Sequence, residues 1–103
     1  MGVRENKVET YLHQRVTDLG GTTRKWVSPG RDGVPDRIVI LPVCIWFVEV
    51  KTTDGVLAAN QLREHDRLRK AGATVRTVYG HADVDDLIEE LKIMLNDYMR
   101  CDG

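Results

Sequence analysis

The chain places a proline–aspartate pair, Pro35-Asp36, ahead of an apolar run that closes on Glu49-Val50-Lys51. Residues two apart on a β-strand project from one face, so Glu49 and Lys51 can address the same atom. Asp36 opens the preceding β-rich run and meets them across a hairpin. Two carboxylates offer oxygen ligands to a hard divalent cation, Mg2+ or Mn2+; Mg2+ binds oxygen at about 2.0–2.1 Å and keeps several waters. An ammonium beside them can orient an attacking water or balance charge building on a phosphoryl group. The chemistry these residues fit is phosphodiester hydrolysis, with Asp36 and Glu49 on the metal and Lys51 stabilising charge.

Each residue also has a duller use. Asp36 could pair with Arg37 or cap the loop behind Pro35, and Glu49 with Lys51 could form a surface ladder. The neighbours argue against the ladder, because Trp46, Val48 and Val50 make one strand face apolar while Ile45 and Phe47 do the same for the other. Such a strand belongs at the centre of a sheet. Charges at its end then need a reason, since burying them unpaired is costly. Lys25 and Arg31 are ordinary surface charges or phosphate contacts, the second in a glycine-flanked loop. His13, His65 and His81 have no ligand spacing and read as surface or supporting residues, and Trp26 and Trp46 read as core.

The elements that must position these groups are legible in the pattern. Val8, Leu12, Val16 and Leu19 recur at helical spacing before Gly20-Gly21, which predicts a helix over residues 4–19. A short strand follows over 22–27, then a Gly- and Pro-dense loop over 28–35. Residues 36–41 and 45–51 are β-rich runs joined around Pro42 as a hairpin. After a loop over 52–57, a helix over 58–71 stops at Gly72, a strand covers 74–79, and a last helix covers 84–99 with Asp83 as its N-cap. Leu87, Leu91, Met94 and Leu95 form the apolar side of that helix.

The 103 residues suit one domain, residues 1–103, with one core. At 42% hydrophobic and 30% charged, the composition is that of a folded protein and excludes a disordered chain. The net charge of −1 gives no global attraction to nucleic acid, but its distribution is uneven. Acids gather at Asp83, Asp85, Asp86, Glu89, Glu90 and Asp97, and bases at Arg24, Lys25, Arg31, Arg37 and Lys51, then Arg63, Arg67, Arg69 and Lys70. Cys44 and Cys101 have no metal-type spacing, and the start lacks the apolar region of a signal peptide. Asn6 stands where a myristoylation motif wants Ser or Thr. A reducing cytoplasmic setting without a membrane partner is expected.

The Pro35-Asp36 and Glu49-Val50-Lys51 pattern resembles the PD-(D/E)xK nuclease superfamily. Glu5 and Glu9, Gly20-Gly21, Lys25, the loop Ser28-Pro29-Gly30-Arg31-Asp32-Gly33 and Gln61 narrow the resemblance to the VRR-NUC family of small virus-type nucleases, over about residues 5–90. The resemblance implies an α/β fold with a restriction-endonuclease-like core, αβββαβ with an extra C-terminal helix around a mixed central sheet. It implies a Mg2+- or Mn2+-dependent DNA endonuclease, with Asp36, Glu49 and the Val50 carbonyl on the metal. Glu5, Asp36, Glu49, Lys51 and Gln61 would make up its catalytic site, and Lys25 and Arg31 would touch DNA. Glu5 and Glu9 are one helical turn apart, so spacing does not separate them, and the family pattern favours Glu5.

Stand-alone members of the family are associated with Holliday-junction resolution in phage and bacteria. A branched or four-way-junction substrate is therefore expected, cut by a C₂ homodimer that supplies two sites. The apolar side of the C-terminal helix or the outer strand would form the dimer surface. A flap-cutting, nicking or restriction-like enzyme of the same fold, or a non-catalytic DNA-binding module, are the alternatives.

Overall fold

Apolar residues at helical and alternating spacing sort into seven elements in the computed structural model, which describes residues 2–101 and the side chains of residues 5–100. They are α1 (Gly2–Asp18), β1 (Thr22–Lys25), β2 (Arg37–Leu41), β3 (Cys44–Lys51), α2 (Ala59–Lys70), β4 (Val75–Tyr79) and α3 (Gly80–Cys101). The strands lie in chain order, with β1–β2 and β2–β3 antiparallel and β3–β4 parallel, so the sheet is mixed as expected. The antiparallel pair β2–β3 turns at Pro42-Val43, where a proline that cannot donate to a ladder does no harm. The parallel pair needs a crossover, and α2 supplies it.

Strand alternation divides β3 between two environments. Trp46, Val48 and Val50 face one side and pack with Val39 and Leu41 of β2, Val8, Leu12 and Val16 of α1, and Val84, Leu87, Ile88 and Leu91 of α3. Leu12, Val16, Val48, Val50, Val84, Ile88 and Leu91 have no exposed surface, each burial contributing roughly 1.5–3 kcal/mol for a side chain of that size. Ile45, Phe47, Glu49 and Lys51 face the other side, which α2 covers only towards the C-terminal end of β3; Ile45 is 57% exposed.

Two boundary differences from the sequence reading affect the elements around the sheet end. β1 ends at Lys25, although the Trp26 N–H still bonds the Asp36 carbonyl at 2.9 Å. α3 begins at Gly80, because Gly80 has φ +81° and turns the strand straight into the helix. A Cβ there would meet Thr53 Oγ1 at 2.6 Å, so the helix start packs on the loop that follows Lys51. Asp83 consequently lies inside the first turn and accepts the Tyr79 N–H at 2.8 Å, not at the N-cap.

Leu87 and Leu91 are consumed by the core, Met94 and Leu95 are partly buried at its edge, and Ile93, Tyr98 and Met99 are exposed. The outer strand β1 is four residues long and carries exposed Arg24 and Lys25, features that discourage edge pairing. Trp46 is core, whereas Trp26 is half-buried against Phe47 with ring centroids 5.0 Å apart. Cys44 is a free thiol, which burial pushes above its ordinary pKa, and the Cys101 side chain lies outside the described ones. Among the described residues, no helix is long and apolar enough to cross a membrane.

Candidate active site

Extending the β2–β3 register by one residue sets Asp36 opposite Glu49, just past the Arg37–Val48 pair. The backbone holds Asp36 there, since the Val50 N–H donates to Asp36 Oδ2 at 2.9 Å. The N–H and C=O of one strand residue face the same neighbour, and the ladder with β2 begins only at Arg37. The Val50 carbonyl therefore opens towards the Asp36 side, free of a ladder partner.

Glu49 is 2% exposed and draws its neighbours from two elements. Gln61 Nε2 of α2 donates to Glu49 Oε2 at 3.1 Å, and Lys51 Nζ stands 3.7 Å from the same oxygen. His65 Nε2 lies 3.7 Å from Oε1, and Oε1 has no hydrogen-bond partner. Burial pushes the Glu49 carboxyl up to about 8; the Asp36 carboxylate beside it adds to the rise, Lys51 offsets part of it, and the charge of Glu5 adds a little more. Two adjacent carboxylates, one of them buried with an unsatisfied oxygen, make a poor pair unless a cation joins them. Among the described residues no three His, Cys, Asp or Glu side chains gather as a ligating group. The donor set is thus two carboxylates and a backbone carbonyl, which fits a hard cation that keeps waters and does not fit a closed zinc site.

Local sequence explains how α2 reaches this carboxylate. Gln61 Oε1 accepts the Ala58 N–H at 2.9 Å, half of a capping box, so the amide that starts the helix also presents Nε2 to Glu49. Gly33, with φ +88°, lets the preceding loop press on the helix start, where a Cβ would meet the Asn60 carbonyl oxygen at 2.5 Å. The loop that follows Val27 and the first turn of α2 are therefore packed as one unit over the sheet end.

The structure separates the two glutamates of α1. Glu9 is engaged by Arg37, whose Nε donates to Glu9 Oε1 at 3.1 Å on the α1 side of the sheet, while the charge of Glu5 reaches Glu49. Lys25 pairs across from Arg37 and shares its face, so it is not brought to the Glu49 side. Arg31 is more than half exposed, with Nε 3.9 Å from the buried Glu64, which Arg67 holds at 3.0 Å. His13 and His81 are exposed, as expected. His65 is 0% exposed and faces Glu49, a placement its lack of ligand spacing did not suggest. The available signal was its distance of one helical turn from Gln61, which puts both on one face.

No family model matches the chain. A protein described as "Putative nuclease p44", from Acyrthosiphon pisum secondary endosymbiont phage 1, is 47% identical over 74 residues, covering 71% of this chain and 80% of that protein. A solved structure described as a VRR_NUC domain aligns with a TM-score of 0.77 at 48% identity, covering 84% of this chain and 95% of that one.

Proposed function

Because the chain belongs to the VRR-NUC family of nucleases, we propose that it is an endonuclease that hydrolyses DNA phosphodiesters with Mg2+ or Mn2+ held by Asp36, Glu49 and the Val50 carbonyl. The observation that carries this reading is the buried Glu49 carboxylate, opposite Asp36 and with Oε1 lacking any hydrogen-bond partner. When bound, the cation polarises the phosphoryl oxygens and lowers the pKa of a water. Lys51 projects from the same face as Glu49 and supplies a fixed positive charge where the phosphate gains negative charge. Gln61 orients Glu49 through its Oε2, and Glu5, from the start of α1, adds a further carboxylate near the same end of the sheet. Arg31, exposed beside Glu64 of α2, is the candidate DNA-backbone contact on the Glu49 side, while Lys25, exposed on the other face of the sheet, would reach DNA only if the duplex wraps the β1 edge.

The substrate class we favour is branched DNA, above all a four-way junction, cut by a homodimer in the cytoplasm of a bacterium or phage-infected host. The described elements all close one core or frame the Glu49 face, and a junction of near two-fold symmetry calls for two sites related by the same symmetry. The test is a cleavage assay on matched linear duplex, flap, single-stranded and four-way-junction DNA with Mg2+ or Mn2+ and an Asp36→Asn control. Paired symmetric nicks on the junction, absent in the control, are expected. Cleavage of flaps or plain duplex alone would keep the chemistry and discard the junction. Cleavage that survives Asp36→Asn would remove the metal assignment.

A further inference from the structure

We propose that His65 is a positioning residue for the metal-binding carboxylate, donating from Nε2 to Glu49 Oε1 when the cation is in place. His65 is fully buried, yet neither of its ring nitrogens has a hydrogen-bond partner. The other orphaned buried side-chain atom among the described residues is Glu49 Oε1, and it lies 3.7 Å from His65 Nε2. An unsatisfied nitrogen and an unsatisfied oxygen facing each other are not a product of packing alone, since an apolar side chain of similar shape would fill the space without stranding a donor or an acceptor. The usual N–H···O separation is about 2.9–3.0 Å, so a shift of roughly 0.7 Å turns this near miss into a hydrogen bond.

The geometry gives the contact a purpose. Gln61 and His65 stand one turn apart on α2, the first on Glu49 Oε2 at 3.1 Å and the second facing Oε1. Together they grip both oxygens of the carboxylate from one rigid element and fix its plane, while each oxygen keeps a lone pair for the metal. Outer partners of this kind orient ligands and raise metal affinity without touching the metal. The inference rests on the metal-dependent reading of Asp36 and Glu49, and it adds that α2 is the element that holds Glu49 ready.

The test reads Mn2+ binding to the protein alone, without DNA, by the spectroscopic signal of free Mn2+. Wild type, His65→Leu, His65→Gln and His65→Asn are compared. His65→Leu is expected to weaken Mn2+ binding about 10- to 100-fold, the usual effect of losing an outer-shell partner. His65→Gln places an amide N–H where Nε2 stands and should return affinity to within a few-fold of wild type. His65→Asn ends near the Nδ1 position and should behave like His65→Leu. Melting in EDTA should leave His65→Leu as stable as wild type or more so, because a stranded polar group is gone. At saturating Mn2+, the KM for DNA should not change.

Wild-type affinity in His65→Leu would overturn the inference. If His65→Leu does not fold, equal affinities of the Gln and Asn variants would overturn it, and weaker binding by Asn alone would support it. A wild-type protein that binds no Mn2+ would remove the metal reading itself. Wild-type binding that is indifferent to His65 would remove this inference alone.

Discussion

The two faces of the sheet are built to opposite standards. Under α1 and α3 the surface is apolar and closed, and its polar groups are paired: Arg37 with Glu9, His13 with Thr23, and Tyr11 and Arg15 with Asp85. Under α2 the surface carries Glu49, Lys51, Gln61 and His65, and every buried side-chain atom without a partner among the described residues lies there. One strand serves both standards because successive side chains alternate. The difference teaches that stability is concentrated on the α1/α3 face, whereas the α2 face keeps charges and free lone pairs close together at some cost in stability, the arrangement that the proposed cation site requires.

The largest test of this division removes a carboxylate. Asp36→Asn or Glu49→Gln should lower cleavage by about 10³-fold or more, the upper range for losing one electrostatic contact to the reacting group. Circular dichroism should show an intact fold in both. A variant that cuts at the wild-type rate would show that the α2 face is not the reactive one. Lys51→Ala is expected to lower the single-turnover rate by about 10²-fold with little change in DNA affinity; a loss confined to affinity would make Lys51 a phosphate anchor.

The opposite face should answer to a different measurement. Leu12→Ala opens a cavity in the closed core and should cost about 2–5 kcal/mol in chemical denaturation. Mn2+ affinity of the folded fraction should stay unchanged, since distant sites without shared partners behave additively. A matching loss of affinity would mean that the two faces are coupled.

Glu49 also makes the comparison visible in pH. Its folded-state pKa of about 8 lies above the ordinary 4.5, with burial the main cause and Asp36 the next. The folded protein therefore holds a proton that the unfolded chain releases, so the contribution of this group to stability is complete below about 4.5 and is lost as pH rises through about 8. In EDTA the melting temperature should fall across that window, the fall should be absent in Glu49→Gln, and Mn2+ at pH 8 should restore it. A flat profile in the wild type would show that Glu49 is ionised without a cation. The smallest effect separates the two α1 glutamates. Glu9→Gln should cost about 1 kcal/mol through its part-buried pair with Arg37 and leave cleavage near wild type, while Glu5→Gln should lower cleavage. The reverse pattern would exchange their roles.

Much of this fold is legible in the sequence. The spacing of Val8, Leu12 and Val16, the alternation through residues 45–51, the proline at the hairpin and the glycine after α2 marked the elements and their order. The Pro35-Asp36 and Glu49-Val50-Lys51 pattern marked the residues that now stand opposite one another. Boundaries fared worse where a single backbone angle decided them: Gly80 could end a strand, start a loop or, at φ +81° against Thr53, launch a helix at once. The stripe of Leu87 and Leu91 was legible as apolar, but whether it met the core or a second copy depended on where α1 and the sheet lay.

What the sequence determined by itself is local: period, turn chemistry, and the kinds of residue available at the end of β3. These follow from interactions within a few residues, so they survive without the rest of the chain. What only the tertiary structure decided is which of several equal candidates meets the site. Glu5 and Glu9 are equivalent on a lone helix, and the three histidines are equivalent on paper. Packing α1 against the sheet gave Glu9 to Arg37, and packing α2 through the Gly33 loop brought His65 to Glu49. Such choices rest on contacts between residues far apart in the chain, and a linear pattern carries no record of those distances.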